Sequence, residues 1–431
     1  MKTVAFYTLG CKVNQYETEA ISELFTDKGY TVVPFTAKAD YYIINTCSVT
    51  AMSDRKSRQI IRRAKKLNPH SVVAVMGCYS QTAPDEVLNI DGVNLVLGTK
   101  NKSSVVNMIE FVSENDNLNA VVSVKDNHEY ENMTVHNCLD RTRAYIKIQD
   151  GCSQFCSYCI IPYARGPVRS RCEEDIINEV KTLAANGYKE IILTGIHAAS
   201  YGTDLKNTSL SQLLNKIDVI CGIERVRLSS IEPMTLNAQF VNEIKGCKKL
   251  CPHFHISLQS GCDATLKRMN RHYTTAQFKE VADGLRNVFA DCAITTDIMT
   301  GFAGETDKEF EQTLRFVEEM QFSDAHVFQY SERRGTPAAK RPDRVPPQIR
   351  EKRSKLIIEA TNKSHNDFLH KHLGREMDVL FETRVKHGFY EGKTANYINV
   401  HAKSGKDISG EFHKVLLETV ENGIIYGKIV D

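Results

Sequence analysis

Three cysteines fall within eight residues of this chain, in the order Cys152-Ser-Gln-Phe-Cys156-Ser-Tyr-Cys159, directly after the short apolar run YIKI. Few local patterns restrict a chain as much, because three thiolates this close together can face a single inorganic centre. A closed structural zinc site takes four ligands, normally in two CxxC-like pairs, and no second pair lies nearby in the sequence. Iron–sulfur clusters normally take four thiolates, so three leave one iron open to a small molecule. The spacing points to an iron–sulfur centre, with zinc as the alternative. The chain holds 13 cysteines in 431 residues. It has no apolar stretch of about 18 residues, and its N-terminus, MKTVAFYTLG, enters a strand-like pattern at once. The expected address is therefore cytoplasmic, without membrane attachment, where cysteines are seldom disulfides.

Around the triplet, strands alternate with helices. The runs YIKI, EIILTG, RVRLSS, HFHISL, AITTDIM and AHVFQY are separated by helical stretches. Six such βα units suggest a parallel barrel, complete or partial, over residues 144–370, with ligands at the carboxyl ends of its strands. Earlier, VAFYTLG, YYIINTC, VVAVMGC and NLVLG alternate with helices, predicting an open parallel α/β domain over 1–112 with helices on both faces. Residues 113–143 turn polar and read as a linker with one short hairpin. Residues 371–431 read as a small all-β barrel of oligonucleotide-binding size. The fold class is α/β with an all-β C-terminal module.

A second cysteine set emerges from the strand reading. Cys11, Cys47 and Cys78 are distant in sequence, yet each follows an apolar strand, in YTLGCK, INTCSV and VMGCYS. Adjacent strands lie about 4.8 Å apart, so three thiols on one sheet edge could share one cluster. The alternative is plain buried cysteine. Gly10, Gly77, Asn45 and Thr46 read as turn chemistry that aims these side chains outward. The remaining seven cysteines, Cys138, Cys172, Cys221, Cys247, Cys251, Cys262 and Cys292, show no ligand spacing and are read as packing residues.

These features resemble one family across nearly the whole chain. CxxxCxxC after the first strand of a βα barrel is the signature of radical S-adenosylmethionine enzymes, and this chain is similar to their methylthiotransferase branch. QDGCSQFCSYCIIPYARGPVRSR (149–171), LTGIHAASYG (193–202), LSSIEP (228–233), HFHISLQSGCDATLKRMNRHYT (253–274) and TTDIMTGFAGETDKEF (295–310) carry the likeness. The resemblance implies an N-terminal methylthiotransferase domain, a partial (βα)6 radical barrel and a C-terminal TRAM domain. It also implies two 4Fe-4S clusters, the radical one on Cys152, Cys156 and Cys159 and an auxiliary one on Cys11, Cys47 and Cys78. TLGCKVNQYETEA (8–20) and INTCSVT (44–50) are similar to the tRNA threonylcarbamoyladenosine methylthiotransferases. The implied reaction is methylthiolation at C2 of N6-threonylcarbamoyladenosine 37 in the tRNA anticodon stem-loop, with sulfur from the auxiliary cluster and an external electron donor, by a monomeric enzyme. The alternatives are an isopentenyladenosine-37 substrate, a ribosomal-protein substrate, or an iron–sulfur RNA-binding protein without catalysis. Ala303 stands where the family usually has proline, and Cys262 where it usually has serine.

S-adenosylmethionine contacts are expected at strand ends: Thr194 and Gly195 on the second barrel strand, Ser229 and Glu232 on the third, Ser257 and Gln259 on the fourth, Asp297 on the fifth. Capping of a following helix is the alternative for Glu232 and Asp297. Charge alone does not announce RNA, with 55 Lys+Arg against 53 Asp+Glu. Two local basic runs suit a phosphate backbone: Arg55 to Lys66, and Arg333, Arg334, Lys340, Arg341 and Arg344. A solvated surface is the alternative reading of each.

Overall fold

The computed structural model describes residues 1–137 and 142–431; the packing role read for Cys138 lies outside them. The N-terminal sheet is parallel, built from β1 (Thr3–Thr8), β2 (Thr31–Val32), β3 (Tyr41–Thr46), β4 (Val72–Gly77), β5 (Leu95–Val96) and β6 (Leu118–Asn119) in the order β2-β1-β3-β4-β5-β6. Strands β3 and β4 are buried along their whole length, because helices cover both faces. Helix α1 (Lys12–Asp27) packs through Tyr16, Ile21 and Phe25 on one face. Helix α2 (Ala51–Leu67) packs through Ile60, Ile61 and Ala64 on the other. The chain leaves β1 toward β2 on one side, and β3 toward β4 on the other. The ends of β1 and β3 thus form a switch point, where open α/β sheets bind ligands.

Among the described residues of 113–143 the expected hairpin does not form. Leu118–Asn119 instead adds a parallel edge strand beside β5. Both residues are exposed, which is why their composition looked like linker. The following stretch is strapped to α1: the backbone N–H groups of His136 and Asn137 donate to Glu23, and Tyr16 donates to the Met133 carbonyl at 2.5 Å.

The central domain contains β7 (Arg143–Asp150), β8 (Arg169–Ser170), β9 (Glu190–Gly195), β10 (Arg225–Leu228), β11 (His253–His255), β12 (Ala293–Thr300) and β13 (Asp324–Gln329). A sheet ordered β10-β9-β7-β8 and another ordered β11-β12-β13 are joined by the parallel bridges Val226–Leu250 and Ile231–Ile256. The six expected parallel strands thus form a partial barrel, with the short antiparallel β8 added at one edge. Ile146, Ile148, Leu193, Val226 and Ile298 face the surrounding helices, while alternate positions such as Arg227, Thr295 and Asp297 line a lumen. The strands β14 (Glu376–Arg384), β15 (Phe389–Thr394), β16 (Asn399–Lys403), β17 (Phe412–Glu421) and β18 (Ile424–Ile429) close a barrel in the order β14-β15-β16-β18-β17. Closure removes free sheet edges. This barrel is docked on the central domain: the Arg225 guanidinium donates to the carbonyls of Lys393 and Asp378, and Tyr397 stacks on His253 at 4.4 Å.

At the carboxyl edge of the N-terminal sheet, Gly77 has φ +106°, and a Cβ there would lie 2.5 Å from the Thr46 carbonyl oxygen. Gly77→Ala is therefore expected to cost about 1–3 kcal/mol. An unshifted denaturation midpoint would show that this turn tolerates a side chain.

Candidate active site between two cysteine triads

Strand register brings the first triad together. Thr46 is the parallel partner of Gly77, so the next residues, Cys47 and Cys78, emerge one strand spacing apart. Cys11 follows Gly10, whose Cα is so close to Cys47 that a Cβ would stand 3.0 Å from its sulfur. Cys11 precedes α1 without using its side chain as a cap. Burial, with the nearby Cys78 and Cys11 thiols, pushes Cys47 up to about 12. Asn45 and Thr46 are strand residues rather than turn residues. Asn45 donates to the Asn14 carbonyl, and Thr46 to the Met76 carbonyl.

The second triad lies on the loop after β7. The Cys152 N–H donates to the Gly166 carbonyl, and Ser157 is bonded to the carbonyls of Met269 and Arg268. Burial pushes Cys152 up to about 11 and, with Cys156 and Cys152 adding to it, Cys159 up to about 12. Behind the loop runs a chain of polar contacts: His197 to Glu232 at 2.9 Å, Glu232 to Arg271 at 3.5 Å, and Arg271 to the Cys156 sulfur at 3.5 Å.

A buried ionic network joins the two triads. Glu17, on α1 six residues after Cys11, takes hydrogen bonds from Lys102, Lys147 and Arg165. Asp150, two residues before Cys152, takes Lys147 at 2.7 Å and Arg165 at 3.2 Å. Burial acts to raise the Glu17 carboxyl, but Arg165, Lys102 and Lys147 outweigh it and hold Glu17 well below the usual carboxylate range. A cavity of about 420 Å³ opens between the triads. Its walls include Tyr158 and Cys159 from the second triad's loop, Val49 and Thr50 from the segment after Cys47, and Gln259 and Asp297. Arg333 holds that segment in place by donating to Ser48 at 2.7 Å and Asp54 at 2.6 Å.

The seven residues expected to hold the cofactor are dispersed. Gln259 and Asp297 line this cavity. Ser229 and Asp297 line a second one, in the lumen. Thr194, Gly195, Glu232 and Ser257 line neither. Asp297 sits inside β12 rather than at its end, held by His255 at 3.1 Å and His326 at 3.4 Å. Glu232 precedes a short turn of helix without capping it through its side chain. Among the described residues no three His, Cys, Asp or Glu side chains gather around a point that would hold one metal ion. The two sets of thiol donors suit clusters instead, and within each set the thiols are near enough to perturb one another. Cys247, Cys251 and Cys262 are buried as packing residues, but Cys172 and Cys221 are exposed, which corrects that reading.

In the second basic run Arg333 is committed to Asp54 in a largely buried pair, whereas Arg341 pairs with Asp343, and Arg344 with Glu332 at 3.1 Å, on the surface. On α2, by contrast, Arg55, Lys56, Arg62, Arg63 and Lys66 are exposed.

Residues 3–98 match the uncharacterized protein family UPF0004, and residues 146–317 the radical SAM superfamily. A threonylcarbamoyladenosine tRNA methylthiotransferase MtaB of Bacillus subtilis is 41% identical, covering 96% of this chain and 93% of that one. Another from Thermotoga maritima is 40% identical over 99% and 96%. A tRNA-2-methylthio-N(6)-dimethylallyladenosine synthase of Clostridium botulinum is 35% identical over 95% and 92%. This chain belongs to the radical S-adenosylmethionine methylthiotransferases. The radical S-adenosylmethionine methyltransferase TsrM of Kitasatospora setae, solved with cobalamin and a [4Fe-4S] cluster, has a similar fold, with a TM-score of 0.54 at 13% identity over 79% of this chain and 77% of that one. As a radical S-adenosylmethionine methylthiotransferase, the chain uses S-adenosylmethionine and 4Fe-4S clusters. No helix among the described residues is long and apolar enough to cross a membrane.

Proposed function

We propose that this methylthiotransferase places a methylthio group on C2 of N6-threonylcarbamoyladenosine at position 37 of tRNA. The observation that carries the reading is the single cavity lined by Cys159 of one triad and by the segment after Cys47 of the other, together with the two MtaB relatives that match almost end to end. Cys152, Cys156 and Cys159 would hold the radical cluster, and Cys11, Cys47 and Cys78 the auxiliary one. Once bound, the clusters and S-adenosylmethionine supply the radical and the sulfur. The protein's own residues set position and exclude water. The Glu17–Arg165–Asp150 network keeps the two cysteine loops at a constant separation, and Arg333 ties the Cys47 segment to the loop that follows β13.

Thr194, Gly195, Ser229, Glu232, Ser257, Gln259 and Asp297 remain the candidate cofactor contacts. The buried Oε1 of Gln259 has no hydrogen-bond partner, as suits an acceptor awaiting a ligand. The exposed basic face of α2 would meet the phosphates of the anticodon stem-loop. The residue spans 1–112, 144–370 and 371–431 would act as one monomeric unit in the cytoplasm, fed by an external electron donor.

Reconstituted protein given S-adenosylmethionine, a reductant and tRNA is expected to yield 5′-deoxyadenosine and 2-methylthio-N6-threonylcarbamoyladenosine, and to bind about eight irons per chain, as two cubanes require. Mass spectrometry of the digested tRNA reads the product. The absence of both products, or about four irons, would overturn the two-cluster reading.

A further inference from the structure

We propose that Lys12 is a specificity-determining residue, its ammonium receiving the carboxylate of the substrate's threonylcarbamoyl arm within the lumen of the partial barrel. This deepens the function proposed above and rests on it.

The lumen encloses a cavity of about 340 Å³, bounded in part by Lys12, Arg227, Ser229, His253, Asp297 and Tyr397. It shares Asp297 and His326 with the cavity between the triads, so an arm extending from a base held in one can enter the other. Almost every other charge bordering the lumen is already matched. Arg227 pairs with Glu190 at 2.7 Å and donates to the carbonyls of Thr394 and Ala395. His255 and His326 both hold Asp297. Asp324 is exposed at the start of β13 and accepts the N–H of Ala325. Of the basic side chains just named, Lys12 alone makes no ion pair or hydrogen bond within the described residues, although Tyr397 and Cys11 lie near enough to favour its charge against burial.

Two further buried atoms on this lumen, Ser229 Oγ and His253 Nδ1, also lack partners. Buried polar groups are seldom left so, and a donor set of ammonium and hydroxyl suits a carboxylate. Tyr397, which lines the lumen, is itself flanked by cations, with Lys393 4.5 Å and Arg227 4.9 Å from the centre of its ring. An apolar arm in the same space would bury Lys12 and Ser229 without partners, so the site selects in both directions.

The test compares two anticodon stem-loop RNAs, one carrying threonylcarbamoyladenosine and one its neutral carboxamide analogue, with methylthio product and KM measured for each and iron per chain as a control. The native enzyme is expected to favour the carboxylate about 10- to 100-fold in KM, the usual range for a charge-assisted hydrogen bond. Lys12→Gln should bring the ratio within about twofold of one, and Lys12→Arg should recover part of it. A native ratio near one would overturn the proposal whatever the variants do, as would a Lys12→Gln enzyme that keeps the full ratio. If Lys12→Gln loses iron, the native ratio and Lys12→Arg decide. A native enzyme that acts on both RNAs equally removes only the role of Lys12. One that acts on neither, but does act on isopentenyladenosine RNA, removes the threonylcarbamoyl substrate itself.

Discussion

Replacing Cys47 by alanine is expected to leave 5′-deoxyadenosine formation in place while abolishing methylthio transfer, whereas Cys156→Ala should abolish both. The asymmetry follows from where the thiols sit. Cys47 follows β3 at the carboxyl end of the N-terminal sheet, with the Cys78 and Cys11 thiols nearby. Cys156 belongs to the loop after β7, beside the Arg271 guanidinium at 3.5 Å. Each triad is built by its own strand ends, so loss of one ligand should leave the other cluster intact. Iron content should fall to about four per chain in Cys47→Ala, from about eight. Methylthio transfer that survives in Cys47→Ala would remove the auxiliary role assigned to its triad. Loss of 5′-deoxyadenosine in that variant would show that the two sites are not separable.

The second large effect is expected at Glu17. Among the described residues its carboxylate is the only one paired with Lys102, which is fully buried, whereas Lys147 and Arg165 also reach Asp150. Glu17→Ala therefore strands a buried ammonium, at a cost of about 3–5 kcal/mol. For a unit of this size that corresponds to a fall of order 10 °C in the denaturation midpoint. Adding Lys102→Met should restore part of the loss, because it removes the unpaired charge. The same change frees α1, and with it Cys11, from the segment that precedes Cys152, so methylthio transfer should fall further than 5′-deoxyadenosine formation. A midpoint lowered by less than about 2 °C would mean that water or another residue already neutralises Lys102.

Both variants depend on residues whose roles differ in how far they can be read from a string of letters. The triplet at 152–159 is local, since its spacing alone places three thiols on one loop. Cys11, Cys47 and Cys78 needed one further step, the recognition that each follows a strand, because parallel strands align their carboxyl ends. The partial barrel and the closed C-terminal barrel were legible for the same reason: strand and turn periodicity are local properties. The short edge strands Leu118–Asn119 and Arg169–Ser170 were not, since two residues cannot display a period.

Local pattern therefore determined the fold class, both cysteine triads and, through the family likeness, the cofactors. Tertiary structure decided what the charged residues do. Glu17, Asp150 and Arg165 stand inside the recognisable segments, yet nothing in their order reveals that they meet in one buried network. Arg333 looked like a phosphate contact and is instead a brace for the Cys47 segment. Lys12 follows Cys11 and looks like any exposed lysine until the lumen is seen to leave it without an ion pair or hydrogen bond among the described residues. The physical reason is range. Hydrophobic period and ligand spacing are set by neighbours along the chain, whereas the role of an ion pair depends on which opposite charge folding brings within a few ångströms and on how much water remains between them.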